Sequence, residues 1–257
     1  MKTITIANQK GGVGKSTTAA ALGAGLIHRG FRVLFVDMDM QGDLTDSLGA
    51  NGSGLTSIGS MEVLEGKATI MEAMQEVKVG AHTGAIVAAS QALAGADMVL
   101  TAVGKEYRLR EALEAVSKSF DYCVIDTPPA LGIATVNALT ASDKLIIPAK
   151  ADYYSLKAVG SLHGTISTIK KYCNRDLEVE GILLTGYSPR TIISRDMAEM
   201  IEQTSSMMGT KVFTTKIREC SALREAQAVK LDVFTYNPKS NASADYHKFI
   251  EEVLSNG

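Results

Sequence analysis

Only three cysteines occur in the 257 residues, Cys123, Cys173 and Cys220, and they lie far apart with no C-x-x-C pair among them. That spacing argues against a zinc site or a disulfide framework. Cys123 sits inside the apolar run Tyr122-Cys123-Val124-Ile125 and reads as a small buried hydrophobe. The four histidines, His28, His82, His163 and His247, are equally scattered and are assigned no metal. No run of about eighteen apolar residues occurs, so no membrane-spanning helix is expected. No signal peptide is expected either, because Met1-Lys2 leads directly into an alternating strand, and the chain is expected to be cytoplasmic. A net charge of −2 announces no nucleic-acid binder, although a nearly neutral protein can carry a local basic patch. Tryptophan is absent and the eleven methionines read as core filling, which discriminates no function. A Pro/Ser-rich linker and an internal repeat are also missing. With 46% hydrophobic and 21% charged residues the chain can bury a full core, and one domain over residues 1–257 is expected.

What stands out is a glycine loop. The apolar run Thr3 to Ala7 is followed by Asn8-Gln9-Lys10-Gly11-Gly12-Val13-Gly14-Lys15-Ser16-Thr17, and then by an alanine- and leucine-rich helical stretch to about Arg29. Strand, loop and helix in that order form a phosphate cradle: glycines let backbone N–H groups converge, and the helix adds the positive end of its dipole. The general pattern G-x-x-x-x-G-K-[ST] has its second half in Gly14-Lys15-Ser16, while Gln9 stands where its first glycine belongs. Lys15 suits the β and γ phosphates of a bound nucleotide, and the Ser16 hydroxyl suits Mg²⁺. A second lysine, Lys10, opens the loop. The string from Lys10 to Thr17 resembles the deviant Walker A motif of the ParA/MinD group of ATPases. That resemblance implies ATP as ligand and a Lys10 that reaches across a two-fold axis to the nucleotide of a second copy.

Strand-like runs recur at Arg32 to Val36, Ala85 to Ala88, Tyr122 to Ile125, Leu145 to Ile147, Gly181 to Leu184 and, more weakly, Lys211 to Phe213. Helical stretches are expected near Ser60 to Gln75, Tyr107 to Ser119, Ala134 to Ala141, Ser155 to Tyr172, Ile192 to Met208 and Ala242 to Leu254. Alternation of this kind predicts a doubly wound α/β fold, a mostly parallel sheet flanked by helices. The glycine-rich segment from Gly49 to Gly59 reads as a surface loop. The second strand ends in Asp37-Met38-Asp39, which places both carboxylates at the edge where open α/β sheets bind ligands. A further strand ends in Asp126, in the Walker B form that holds magnesium. The group's corresponding segments imply that Asp39 orients or activates the attacking water. For Asp37 they imply support of Mg²⁺ through water or a cap on the following turn.

Beyond the loop, Asp126-Thr127-Pro128-Pro129-Ala130-Leu131-Gly132, Pro189-Arg190-Thr191, Leu223-Arg224-Glu225-Ala226 and Tyr236-Asn237-Pro238-Lys239-Ser240 fall in the order seen in ParA/Soj-type partition ATPases. The resemblance spans nearly the whole chain. It implies an ATPase of slow intrinsic turnover that dimerises on binding ATP, binds DNA without sequence preference and is stimulated by a ParB-type centromere-binding protein, hence a nucleoid-associated one. It also implies adenine contacts from the loop at Ile217 and Arg218. Basic residues that could meet DNA are Lys170, Lys171, Arg175, Arg190, Arg195, Lys211, Lys216 and Arg218. A related ATPase that positions a protein cargo would share the same motor. A MinD-like membrane ATPase would need a basic amphipathic terminal helix, whereas the segment from Tyr246 is short and acidic.

Overall fold

The computed structural model describes residues 1–50 and 58–255. In chain order its elements are β1 (Lys2–Ile6), α1 (Lys15–Ile27), β2 (Val33–Asp37), α2 (Asp43–Ser47), α3 (Ser60–Glu65), α4 (Ile70–Ala73), β3 (Met74–Val79), β4 (His82–Val87), α5 (Ala96–Val99), α6 (Arg108–Glu114), β5 (Tyr122–Asp126), α7 (Ile133–Thr140), β6 (Lys144–Lys150), α8 (Tyr153–Tyr172), β7 (Glu178–Thr185), α9 (Ile192–Met207), α10 (Ser221–Ala228), α11 (Val233–Tyr236) and α12 (Asn241–Ser255). The strands form a seven-stranded sheet in the order β3-β4-β2-β5-β1-β6-β7. Every neighbouring pair is parallel except β3 and β4. Parallel neighbours must be joined by crossovers lying on the faces of the sheet, so the doubly wound α/β architecture follows from the alternation of elements.

Helices bury both faces. On one, Leu22 and Leu26 of α1 and Phe249 and Ile250 of α12 pack against Ile4, Ile6 and Phe35. On the other, α6 and α7 cover Leu34, Val36 and Ile125, while α8 and α9 cover Leu145 and Ile147. The α1 helix can lie this close because it is built of small residues: a Cβ on Gly23 would stand 2.0 Å from Phe35 Cε1. Its end is as expected, with Gly30 left-handed at φ +86° and its N–H donating to the Ile27 carbonyl at 2.9 Å.

The helix expected over Ser60 to Gln75 is corrected. Left-handed Gly66 stops α3, and Thr69 and Glu72 form a reciprocal cap that starts α4. From Met74 the chain becomes β3, hairpinned onto β4 through Gly80 and Ala81. The strand expected at Lys211 to Phe213 is reduced to one bridge, Ile182 with Val212. The α6 helix is shorter than expected, ending at Glu114. Within the segment from Gly49 to Gly59, residues 51–57 lie outside the described residues.

Candidate functional site

The loop between β1 and α1 emerges at the carboxyl end of the sheet. Gly12 and Gly14 take φ +69° and +84°, conformations that a side chain would strain, and α1 starts directly after Gly14. Two neighbours pin the loop. Asn8 donates through Nδ2 to the Pro148 carbonyl of β6 (2.7 Å) and accepts the Lys10 N–H on Oδ1 (3.0 Å). Thr185, ending β7, donates its hydroxyl to the Val13 carbonyl (2.7 Å). Lys15 is buried with its ammonium inside the loop, donating to the Lys10 carbonyl at 3.4 Å. Burial pulls its pKa below the usual lysine value, while the nearby Asp126, Asp39 and Asp43 carboxylates favour the charged form.

Lys10 does the opposite and points out of the loop. Its ammonium donates to both Asp152 carboxylate oxygens (2.7 Å each) and to the Ser155 hydroxyl (3.2 Å). Asp152 also caps α8 by accepting the Ser155 N–H at 2.8 Å. Partial burial disfavours the Asp152 anion, but the hydrogen bonds from Lys10 and Ser155 outweigh it and hold the carboxyl below its usual range.

The β2 and β5 strands end side by side, with Asp37 and Asp126 as register partners. Both oxygens of Asp37 are engaged: Oδ1 accepts the Asp39 N–H (3.1 Å), and Oδ2 accepts the Thr45 N–H (2.9 Å) and hydroxyl (2.7 Å). Burial nevertheless pushes its pKa up to about 6. Asp126 is fully buried; Oδ1 accepts the Thr127 N–H (3.0 Å), while Oδ2 has no hydrogen-bond partner. Burial and the charge of Asp37 push this carboxyl well above its usual range, with the Ser16 hydroxyl and Lys15 favouring the anion. An orphaned buried carboxylate oxygen beside a serine hydroxyl is a set of hard donors suited to a magnesium ion. Among the described residues no three His, Cys, Asp or Glu side chains gather to hold a metal, so such an ion would take its remaining ligands from phosphate and water.

Above this floor opens a cavity of about 830 Å³ lined by Gly12, Lys15, Ser16 and Thr17 of the loop, by Asp39 and by Arg224 of α10. That volume is in the range of ligand clefts, roughly 300–1,000 Å³. Asp39 is buried, and its Oδ1 accepts the Gln41 N–H at 3.1 Å. A second cavity of about 350 Å³ adjoins the loop's other flank, lined by Thr185, Gly186 and the segment Ile217 to Cys220. Ile217 itself is packed in the core, and Arg218 is tied to Asp245 at 2.6 and 2.8 Å. The structure thus gathers Gly11 to Thr17, Asp39 and, beneath Ser16, Asp126, and it sets Lys10 apart. The roles of Asn8, Thr45, Asp152 and Thr185 escaped the sequence reading. An Asx turn and a helix cap were the only local signals for any of them.

An AAA domain family model matches residues 1–179. Over 257 residues the chain is 38% identical to the sporulation initiation inhibitor protein Soj of Bacillus subtilis, covering 100% of this chain and 99% of that protein. It is 34% identical over 258 residues to the chromosome partitioning protein ParA of Caulobacter vibrioides, covering 99% and 94%. Among solved structures, the cobyrinic acid a,c-diamide synthase of Mycobacterium smegmatis with bound ATP analogue and magnesium superposes with a TM-score of 0.85 at 33% identity, covering 100% and 95%.

Proposed function

The chain belongs to the Soj/ParA family of chromosome-partitioning ATPases, and from that premise we propose that it binds and hydrolyses ATP as a switch between monomer and dimer. The observation that carries this proposal is the parting of the two loop lysines, Lys15 inside the cradle and Lys10 held outside it on Asp152. Two ammonium groups crowded into one empty loop would repel each other. Across a two-fold axis, each Lys10 instead leaves Asp152 for the phosphates bound by the other copy. Loading with ATP and pairing then become one event.

Within each protomer the backbone N–H groups of Gly11 to Thr17 cradle the phosphates, and Lys15 neutralises the β and γ oxygens. Ser16, backed by Asp126, holds Mg²⁺, which when bound spreads the charge that develops on the transferred phosphoryl group. Asp39 lines the cleft and holds the attacking water, taking up its proton as ADP and phosphate form. Asp37, with both oxygens committed, sets the turn that carries Asp39 and acts on the ion only through its charge. Turnover by the lone chain is slow, because the second lysine arrives only with the partner copy.

The names of the relatives support chromosome partition as the setting. In that setting the proposed dimer binds DNA without sequence preference and so sits on the nucleoid. A ParB-type protein then stimulates hydrolysis and returns the chain to monomers. Arg190 and Arg195 are exposed and carry no ion pair among the described residues, which suits phosphate contacts. Among the described residues no helix is long and apolar enough to cross a membrane, and Tyr246, Phe249, Ile250 and Val253 of α12 are buried in the core, which leaves the MinD-like alternative without support.

Light scattering with Mg²⁺ and ATP tests the switch. The wild type should double in mass, Lys15→Ala should fail to bind nucleotide, and Lys10→Ala should bind it yet stay monomeric. Added DNA should then be held by the wild type only, and less as salt rises. A Lys10→Ala protein that dimerises normally with ATP would defeat the proposal.

A further inference from the structure

In α10, Ala222 and Ala226 are buried, while Arg224 and Gln227, three residues apart, share a different face. That face is turned to the phosphate loop, where Gln227 Nε2 donates to Thr17 Oγ1 at 3.1 Å. Because Thr17 Oγ1 accepts there, its own proton is free for an acceptor on the cavity side. Arg224 has neither an ion pair nor a side-chain hydrogen bond among the described residues, although Glu225 beside it accepts from the Tyr236 hydroxyl. An unpaired guanidinium on the wall of a polyphosphate cleft is a ligand contact in waiting.

The two cavities meet along this wall. Gly12, Gly14, Thr17, Arg224 and Gln227 line both of them. The larger runs toward Ser16 and Asp39, where the terminal phosphate and its ion belong; the smaller runs away from them to Thr185, Gly186 and Glu219. A nucleoside triphosphate with its tail in the first and its base in the second passes its ribose and α-phosphate through the waist between them.

Resting on the ATPase reading above, we infer that Arg224 is a nucleotide-binding residue that contacts the α-phosphate and ribose. The contact is made to the part that ATP and ADP have in common. Arg224 therefore sets affinity for both alike and leaves their discrimination to Lys15, Lys10 and the ion. The segment Leu223 to Ala226 stood out in the sequence only as part of the resemblance, with no role attached to Arg224, because the helix lies more than two hundred residues from the loop that Gln227 ties it to.

The experiment is calorimetric titration of ATP and of ADP into the full chain with Mg²⁺. Arg224→Met keeps the stem's packing and removes the charge. It should weaken both nucleotides by the same factor, about tenfold for a lost charge-assisted contact. Arg224→Lys should stay within about threefold of the wild type, since an ammonium still meets a phosphate, whereas a purely structural role would be kept by methionine and gain nothing from lysine. Arg224→Met binding both nucleotides as the wild type does, losing ATP alone, or matching Arg224→Lys would each overturn the inference. A wild type that takes up neither nucleotide would overturn the ATPase reading itself, and the two failures are told apart in the same titrations.

Discussion

Replacing Asp126 with asparagine should stabilise the ligand-free protein while removing most of its response to Mg²⁺ and ATP. The wild-type carboxyl is fully buried, pairs in register with Asp37 and has one oxygen without a partner. At neutral pH the folded chain must either bury this anion or bind a proton that the unfolded chain, with a carboxyl pKa near 3.9, has released. Binding the proton costs about 1.4 kcal/mol for each pH unit above about 4, and so up to about 4 kcal/mol at pH 7. Asparagine is neutral without that cost. It keeps an oxygen for the Thr127 N–H and turns a donor toward Asp37 and Ser16. If about half the gain is lost to imperfect pairing of a buried amide, a net 2 kcal/mol or so remains, about 4–8 °C in Tm for a chain of this size. The sign with pH is fixed by the raised carboxyl: the wild-type penalty is absent below about pH 4 and grows as pH rises toward the pKa of the folded carboxyl, so the variant's advantage must be larger at high pH than at pH 4. Thermal unfolding of both proteins between pH 5 and 8 measures the difference, and adding Mg²⁺ with ATP should raise the wild-type melt far more. A variant that melts at or below the wild type, or whose advantage is flat with pH, would refute the claim that these acids are strained until a cation arrives.

The same acids make ligand binding pH-dependent. With Asp37 pushed up to about 6, a cation entering below that pH must expel a proton. Affinity for Mg²⁺ with ATP should therefore fall as pH drops through about 6, by up to about tenfold per unit for the Asp37 proton, in addition to the proton that the raised Asp126 carboxyl must release. Titrations at several pH values read this directly, and a flat profile would show that Asp37 is not linked to the ion. In the core, Gly23→Ala would drive a Cβ to within 2.0 Å of the buried Phe35 ring. Parting α1 from β2 should cost roughly 1–3 kcal/mol, seen as a melt lowered by several degrees, and an unchanged Tm would mean that the ring moves freely.

What could be read from the sequence was local. Strand, glycine loop and helix are contiguous, and the aspartates ending β2 and β5 each close an apolar run, so their place at the carboxyl edge follows from the period of the chain alone. The β3 strand was hidden because the residues before it are good helix formers. The break depends on Gly66 adopting a left-handed conformation and Thr69 capping, after which Gln75 to Val79 alternate. The other missed features are contacts between distant parts of the chain. Lys10 and Asp152 are 142 residues apart, Val13 and Thr185 are 172 apart, and no pattern within a window of a dozen residues can pair them. The loop at Ile217 lines the second cavity, but the isoleucine is packed in the core and Arg218 is paired with Asp245, which only packing decides.

The Lys10 contact must also be weak if it is to serve a switch. The Lys10 and Asp152 side chains remain 25% and 36% exposed, and a pair screened to that degree is worth about 0.2–1 kcal/mol. A charge-assisted hydrogen bond to a phosphate, made in the water-poor space between two copies, is worth about 1.5–3 kcal/mol. Under the proposed switch, phosphate would therefore win Lys10 whenever a second loaded copy is present. Under the same switch Asp152 would keep it whenever none is. A fully buried Lys10–Asp152 pair would have reversed that order, because stripping one partner from a buried ion pair costs about 3–5 kcal/mol and the lysine would then never leave.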